Sequence, residues 1–110
     1  MSIRTATYAI TYRSYGMERS SVMSRNEKNA EIFKALGHPV RLQIVENLMK
    51  EGKCNVGTIE KMLHLTQSNA SRQLSTLKHA GIVKGTRDAN EIFYEVSDEK
   101  VKDVVRILAS

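Results

Sequence analysis

Apolar residues along the chain follow a helical spacing through most of its length and a strand-like pattern in one stretch near the end. From about Asn26 onward Ile32, Phe33 and Leu36 lie on one helical face. Gly37-His38-Pro39 then ends that helix and opens another, with proline in the first turn, where its missing N–H leaves no bond unmade. The second helix carries Leu42, Val45, Leu48 and Met49 on one face and runs to about Lys50, where Glu51-Gly52-Lys53 breaks it. Asn55 is placed to cap a short third helix with Val56, Ile59, Met62 and Leu63 inward, and Thr66 to cap a fourth, from about Gln67 to His79. Only His64-Leu65 links the two, and so short a turn predicts a helix-turn-helix.

After Ala80-Gly81 the period changes. Ile82-Val83-Lys84 and Glu91–Val96 are β-rich runs on either side of Gly85–Asn90, which predicts a hairpin. Ser97 is expected to cap a last helix, its Asp98 and Glu99 complementing the N-terminal dipole and Val101, Val104, Val105 and Leu108 sharing a face. Residues 1–23, with Tyr8, Tyr12, Tyr15 and many Ser and Thr but no sustained apolar period, read as an N-terminal extension to which the pattern assigns no role. One domain, residues 24–110, is therefore expected: mainly α with a small β-hairpin, in the order α-α-α-α-β-β-α.

Charge sharpens this outline. The 110-residue chain has 17 Lys and Arg against 12 Asp and Glu, a net +5. Between Lys61 and Arg87 lie five basic residues, Lys61, Arg72, Lys78, Lys84 and Arg87, and no acidic one. Removing those five leaves 12 basic against 12 acidic residues, so one contiguous quarter of the sequence makes the field that a polyanion would feel. Within it, the fourth helix has a narrow apolar stripe, Ala70, Leu74 and Leu77, and is otherwise Ser68, Asn69, Ser71, Arg72, Gln73, Ser75, Thr76 and Lys78. Hydroxyls, amides and cations without a carboxylate are the groups that meet phosphates and base edges. Double-stranded DNA is the partner expected, with Arg87 and Asn90 at the hairpin tip suited to the phosphate backbone or the minor groove. Phe33 and Leu36 together with Val101, Val104, Val105 and Leu108 exceed what a core of this size needs, which predicts a homodimer through the first and last helices.

Filling this order of elements are the motifs Glu31-Ile-Phe-Lys-Ala-Leu-Gly-His-Pro-Val-Arg-Leu42, Thr66-Gln-Ser-Asn-Ala-Ser-Arg-Gln-Leu74, Leu77-Lys-His-Ala-Gly-Ile-Val83 and Ile92-Phe-Tyr94. Together they resemble the ArsR/SmtB family of bacterial repressors over about Glu31 to Leu108. The resemblance implies a homodimeric winged helix-turn-helix that sits on an operator and leaves it when an inducer binds. It implies that Thr66, Gln67, Ser68, Ser71, Arg72 and Ser75 face DNA. The wing turn, Arg87-Asp88-Ala89-Asn90, departs from the glycine commonly found there. Of the family's metal sites, the Cys-x-Cys of the third helix falls on Asn55 and Gly57, one place from Cys54; of the Asp-x-His of the last helix, Asp98 is present but Lys100 replaces the histidine. A lysine ammonium cannot ligate zinc without losing its proton, so neither a metal nor any other cofactor is expected.

The remaining inventory argues against other classes. One cysteine and three scattered histidines, with no glycine-rich phosphate loop and no paired acid and base, do not make an enzyme. His38 is expected to be a structural cap, and His64 and His79, flanking the fourth helix, hydrogen-bonding or phosphate-adjacent residues. No run of about 18 apolar residues occurs and the first residues lack the layout of a secretion signal, so no membrane partner and a cytoplasmic location are expected. Two alternatives stay open: a winged-helix protein-interaction module using Tyr8, Tyr12 and Tyr15, and a redox-responsive repressor sensing through Cys54. For the second, the dipole of the third helix and the adjacent Lys53 would favour the thiolate, while simple packing would not. The sequence names neither the operator nor the inducer.

Overall fold

A reciprocal cap starts the first helix of the computed structural model, which describes residues 24–110. Ser24 Oγ accepts from the Glu27 amide at 3.1 Å and Glu27 Oε1 from the Ser24 amide at 2.9 Å, opening α1 (Arg25–Leu36). His38 caps α2 (Pro39–Glu51), its Nδ1 accepting from the Val40 amide at 3.2 Å, and Gly52 closes that helix at φ 93°, where a side chain would be strained. A two-residue strand β1 (Cys54–Asn55) leads into α3 (Val56–Leu63), capped by Asn55 Oδ1 on the Thr58 amide at 2.8 Å. His64 ends α3 in the left-handed conformation, and Thr66 Oγ1 accepts from the Asn69 amide at 3.1 Å to start α4 (Gln67–His79). The chain continues through β2 (Val83–Asp88), β3 (Glu91–Val96) and α5 (Glu99–Ala109).

All helices contribute to one core. Ile44, Leu48, Ile59, Leu74, Leu77 and Ile82 are almost wholly enclosed, and Leu36, Val101 and Val105 join them. Each such side chain contributes roughly 1.5–3 kcal/mol on leaving water, more than a cap at about 1 kcal/mol. Packing, not local preference, therefore holds α4, whose Ser, Asn and Thr are mediocre helix formers.

Several expectations are corrected. The sheet has three antiparallel strands in the order β1-β3-β2, because Cys54 and Asn55 pair with Tyr94 and Phe93 of β3. The hairpin connection is two residues, Ala89-Asn90, since Gly85 to Asp88 are drawn into the ladder opposite Tyr94 to Glu91. A Cβ at Gly85 would stand 3.0 Å from both Ile92 Cγ2 and Tyr94 Cε1, so those side chains would have to give by a few tenths of an ångström to admit one. Asp98, not Ser97, caps the last helix, with Oδ1 accepting from the amides of Lys100 at 2.8 Å and Val101 at 3.3 Å. Leu36, Val101 and Val105 lie in the protomer's own core, so they are not free to form a dimer face. The expected extension, residues 1–23, lies outside the described residues.

Candidate nucleic-acid interface

Capping and packing together turn α4 so that Ala70, Leu74 and Leu77 face the core and Gln67, Ser68, Ser71, Arg72, Ser75 and Lys78 face outward, with Thr66 exposed at its start. Thr76 is half-buried and its hydroxyl donates to the Arg72 carbonyl at 3.2 Å. Asn69 is also half-buried, at the border of the exposed face. Gln73 departs from expectation. It is 8% exposed, with Oε1 accepting from Arg41 Nη1 at 2.9 Å and Nε2 donating to Asn69 Oδ1 at 3.0 Å, so it cannot itself meet DNA in this arrangement.

Of the five cations in the acid-free window, Lys84 lies 3.9 Å from Glu95 across the β2–β3 ladder. Lys61, Arg72, Lys78 and Arg87 make no ion pair among the described residues, so their charge is available to a polyanion. The wing tip, Arg87 to Asn90, is exposed. Ala89 holds φ 60°, a conformation that glycine adopts without strain and alanine does not. Beside the wing tip the Asn55 side chain, which also caps α3, donates through Nδ2 to the carboxylate of Glu91, the first residue after the turn.

Away from this face, Phe33 is 61%, Ile107 73% and Leu108 67% exposed. Phe33 and half-buried Val104 line a groove of about 160 Å³ between α1 and α5, floored by Leu36 and Val101. Ile107 escaped the sequence reading although it continues the spacing from Val104 by one turn. Arg41 also escaped; a lone cation in the apolar pattern of α2 was the available signal.

Cys54 is 4% exposed within β1. Burial, and then the Glu51 carboxylate, push its thiol above the ordinary range, the reverse of the expected activation. Lys53 does not serve the thiol: its ammonium lies 3.9 Å from Glu95. Among the described residues no group of three or more His, Cys, Asp or Glu is placed to hold a metal ion, and no helix is long and apolar enough to cross a membrane. Asp98, the one matched ligand position, is engaged as a helix cap.

Comparison with known proteins bears on this arrangement. Residues 38–84 match the model of the bacterial regulatory protein family arsR. An uncharacterised HTH-type transcriptional regulator of Methanocaldococcus jannaschii is 40% identical over 86 residues, 78% of this chain and 97% of the relative. The crystal structure of the transcriptional repressor PagR of Bacillus anthracis superposes with a TM-score of 0.70 at 35% identity, over 74% of this chain and 93% of that one. The homodimeric winged helix-turn-helix DNA-binding domain of Mb0332 from Mycobacterium bovis, a possible ArsR-family regulator, does so with a TM-score of 0.71 at 26% identity, over 82% and 86%. Helix pair, exposed cationic helix and hairpin thus define a winged helix-turn-helix transcriptional regulator. The chain belongs to the arsR family of bacterial regulatory proteins.

Proposed function

We propose that this protein is a cytoplasmic, non-enzymatic repressor that binds an inverted-repeat operator in double-stranded DNA as a homodimer. The exposed face of α4 carries the reading: Arg72 and Lys78, without an ion pair among the described residues, stand among hydroxyls and amides, with no carboxylate on the helix to repel phosphate. In this reading Thr66, Gln67, Ser68, Asn69, Ser71, Arg72, Ser75 and Lys78 meet the major groove, and Arg87 and Asn90 meet the backbone or minor groove beside it. The exposed Phe33, Ile107 and Leu108 with Val104 support self-association through α1 and α5, as does the homodimeric state of the Mycobacterium bovis domain. A two-fold dimer reading one face of the duplex fits half-sites about 34–36 Å apart or a multiple of that.

The test is fluorescence anisotropy at several salt concentrations on the DNA upstream of the protein's own gene and on a scrambled duplex. Wild type is expected to prefer the first, and Arg72→Ala to lose about 1–3 kcal/mol of that preference with an unchanged melting temperature. Equal preference in both proteins would refute α4 as the reader.

A further inference from the structure

The polar chain between α2 and α4 has a fixed direction. Arg41 Nε donates to the Ala35 carbonyl at the end of α1 at 2.5 Å, and its Nη1 donates to Gln73 Oε1 at 2.9 Å. A guanidinium has donors only, so the atom of Gln73 that faces it must be the oxygen. The other end of the Gln73 amide is then its NH₂, which must donate, and it does so to Asn69 Oδ1 at 3.0 Å. Asn69 Oδ1 is therefore turned toward Gln73, and its own NH₂ is the end left over. That NH₂ bonds to nothing among the described residues. Asn69 sits in the first turn of α4, its backbone held by the Thr66 cap, and the N-terminal residues of a recognition helix are those that reach base edges.

We infer that Arg41 and Gln73 are specificity-determining positioning residues, which hold Asn69 so that it presents a hydrogen-bond donor to the major groove. An asparagine free to turn reads adenine by accepting from N6 and donating to N7; with Oδ1 engaged inward, the donor half remains. Guanine, with acceptors at O6 and N7, thymine, with O4, and adenine, with N7, each satisfy that donor, whereas cytosine offers only N4–H₂ against it. Cytosine is thus the base excluded under Asn69, through an arginine two hydrogen bonds away from it. This rests on α4 being the reading helix, as proposed above.

Selection of binding sites from a randomised duplex library, with wild type, Asn69→Ala and Gln73→Glu, tests the inference. The position under Asn69 is the one at which Asn69→Ala loses discrimination, by about 5-fold or more. At that position wild type rejects cytosine and enriches guanine, thymine or adenine. Gln73→Glu keeps a partner for Arg41 but offers acceptors only, so Asn69 must turn its NH₂ inward and its oxygen outward. Cytosine is then admitted, and guanine and thymine are rejected. Continued rejection of cytosine by Gln73→Glu, or an Asn69→Ala variant that selects the wild-type motif at every position, would overturn the inference and leave α4 as the reader. A wild type that enriches no motif would overturn sequence reading by α4 itself, and this with it. Should Gln73→Glu fail to fold, side-chain amide exchange by NMR on wild type decides: the Gln73 NH₂ is expected to be protected and that of Asn69 to exchange freely. The reverse order would overturn the assigned direction.

Discussion

Replacing Arg41 and Gln73 by methionine, singly and together, measures how strongly α2 is tied to the recognition helix. Arg41→Met strands Gln73 Oε1 in a residue only 8% exposed, and also leaves the Ala35 carbonyl without its donor. A buried polar atom left unsatisfied costs about 1–3 kcal/mol, and an ordinary lost bond about 0.5–1.5, so this variant should lose roughly 2–4 kcal/mol. Gln73→Met frees one end of a half-buried guanidinium that the Ala35 carbonyl still serves and removes the donor to half-buried Asn69 Oδ1, two ordinary bonds at about 0.5–1.5 kcal/mol each, a loss of about 1–3 kcal/mol. The double variant leaves neither Gln73 Oε1 nor its partner stranded, so it should be more stable than the sum of the singles predicts, by about 1 kcal/mol or more. Urea unfolding followed by circular dichroism supplies the four values, at one protein concentration because self-association raises apparent stability by mass action. At about 4–8 °C per kcal/mol for a domain of this size, Arg41→Met should also melt well below wild type. Losses that add to within about 0.5 kcal/mol would mean that the two side chains do not stabilise one another.

Three further outcomes are expected. Arg87→Ala should weaken binding to every duplex alike and reduce the slope of log affinity against log salt by about one unit; loss confined to the operator would instead make Arg87 a base reader. Leu108→Asp and Phe33→Asp should convert dimer to monomer in sedimentation velocity while preserving the circular dichroism spectrum, since both side chains are exposed in the protomer; an unaltered dimer would place the interface elsewhere. Because the Cys54 thiol is held above its ordinary range, its neutral form is favoured by folding: that stabilisation is complete below the unfolded thiol value of about 8.5 and is lost as pH rises through the higher folded value. Wild type should therefore lose more stability than Cys54→Ala between about pH 8 and pH 10, and parallel urea midpoints across that range would refute the assignment.

Helix boundaries were readable because capping is local chemistry. His38, Asn55 and Thr66 accept from amides within three residues of themselves, so the bounds of α2, α3 and α4 follow from short stretches of sequence. Contacts between distant segments left weaker marks. Strand β1 is two residues whose pairing with Tyr94 and Phe93 depends on where the whole domain brings β3. Gly85, Thr86 and Arg87 have no strand-forming pattern of their own and are ordered by the register with Tyr94, Phe93 and Ile92. Ser97 and Asp98 are both good caps, and Ser97 instead holds its amide against the Ile82 carbonyl at 2.9 Å. At the interface, residue type identified the outward row of α4 but misplaced Gln73, an amide that is tolerated inside only because Arg41, 32 residues away, meets it. Leu36, Val101 and Val105 looked surplus to a small core when in fact they complete it.

Asn55 has a consequence for how the duplex must be accommodated. One side chain both starts α3, the first half of the reading pair, and holds Glu91 beside the tip of the hairpin, so helix and wing share one anchoring side chain. Their separation on the protein is then set before any DNA arrives. Where groove width and this separation differ, the Asn55–Glu91 bond is kept only if the duplex bears the cost of bending or narrowing. That cost depends on the stacking of base pairs between the two contacts, so bases that no side chain touches enter the choice of site through their stiffness.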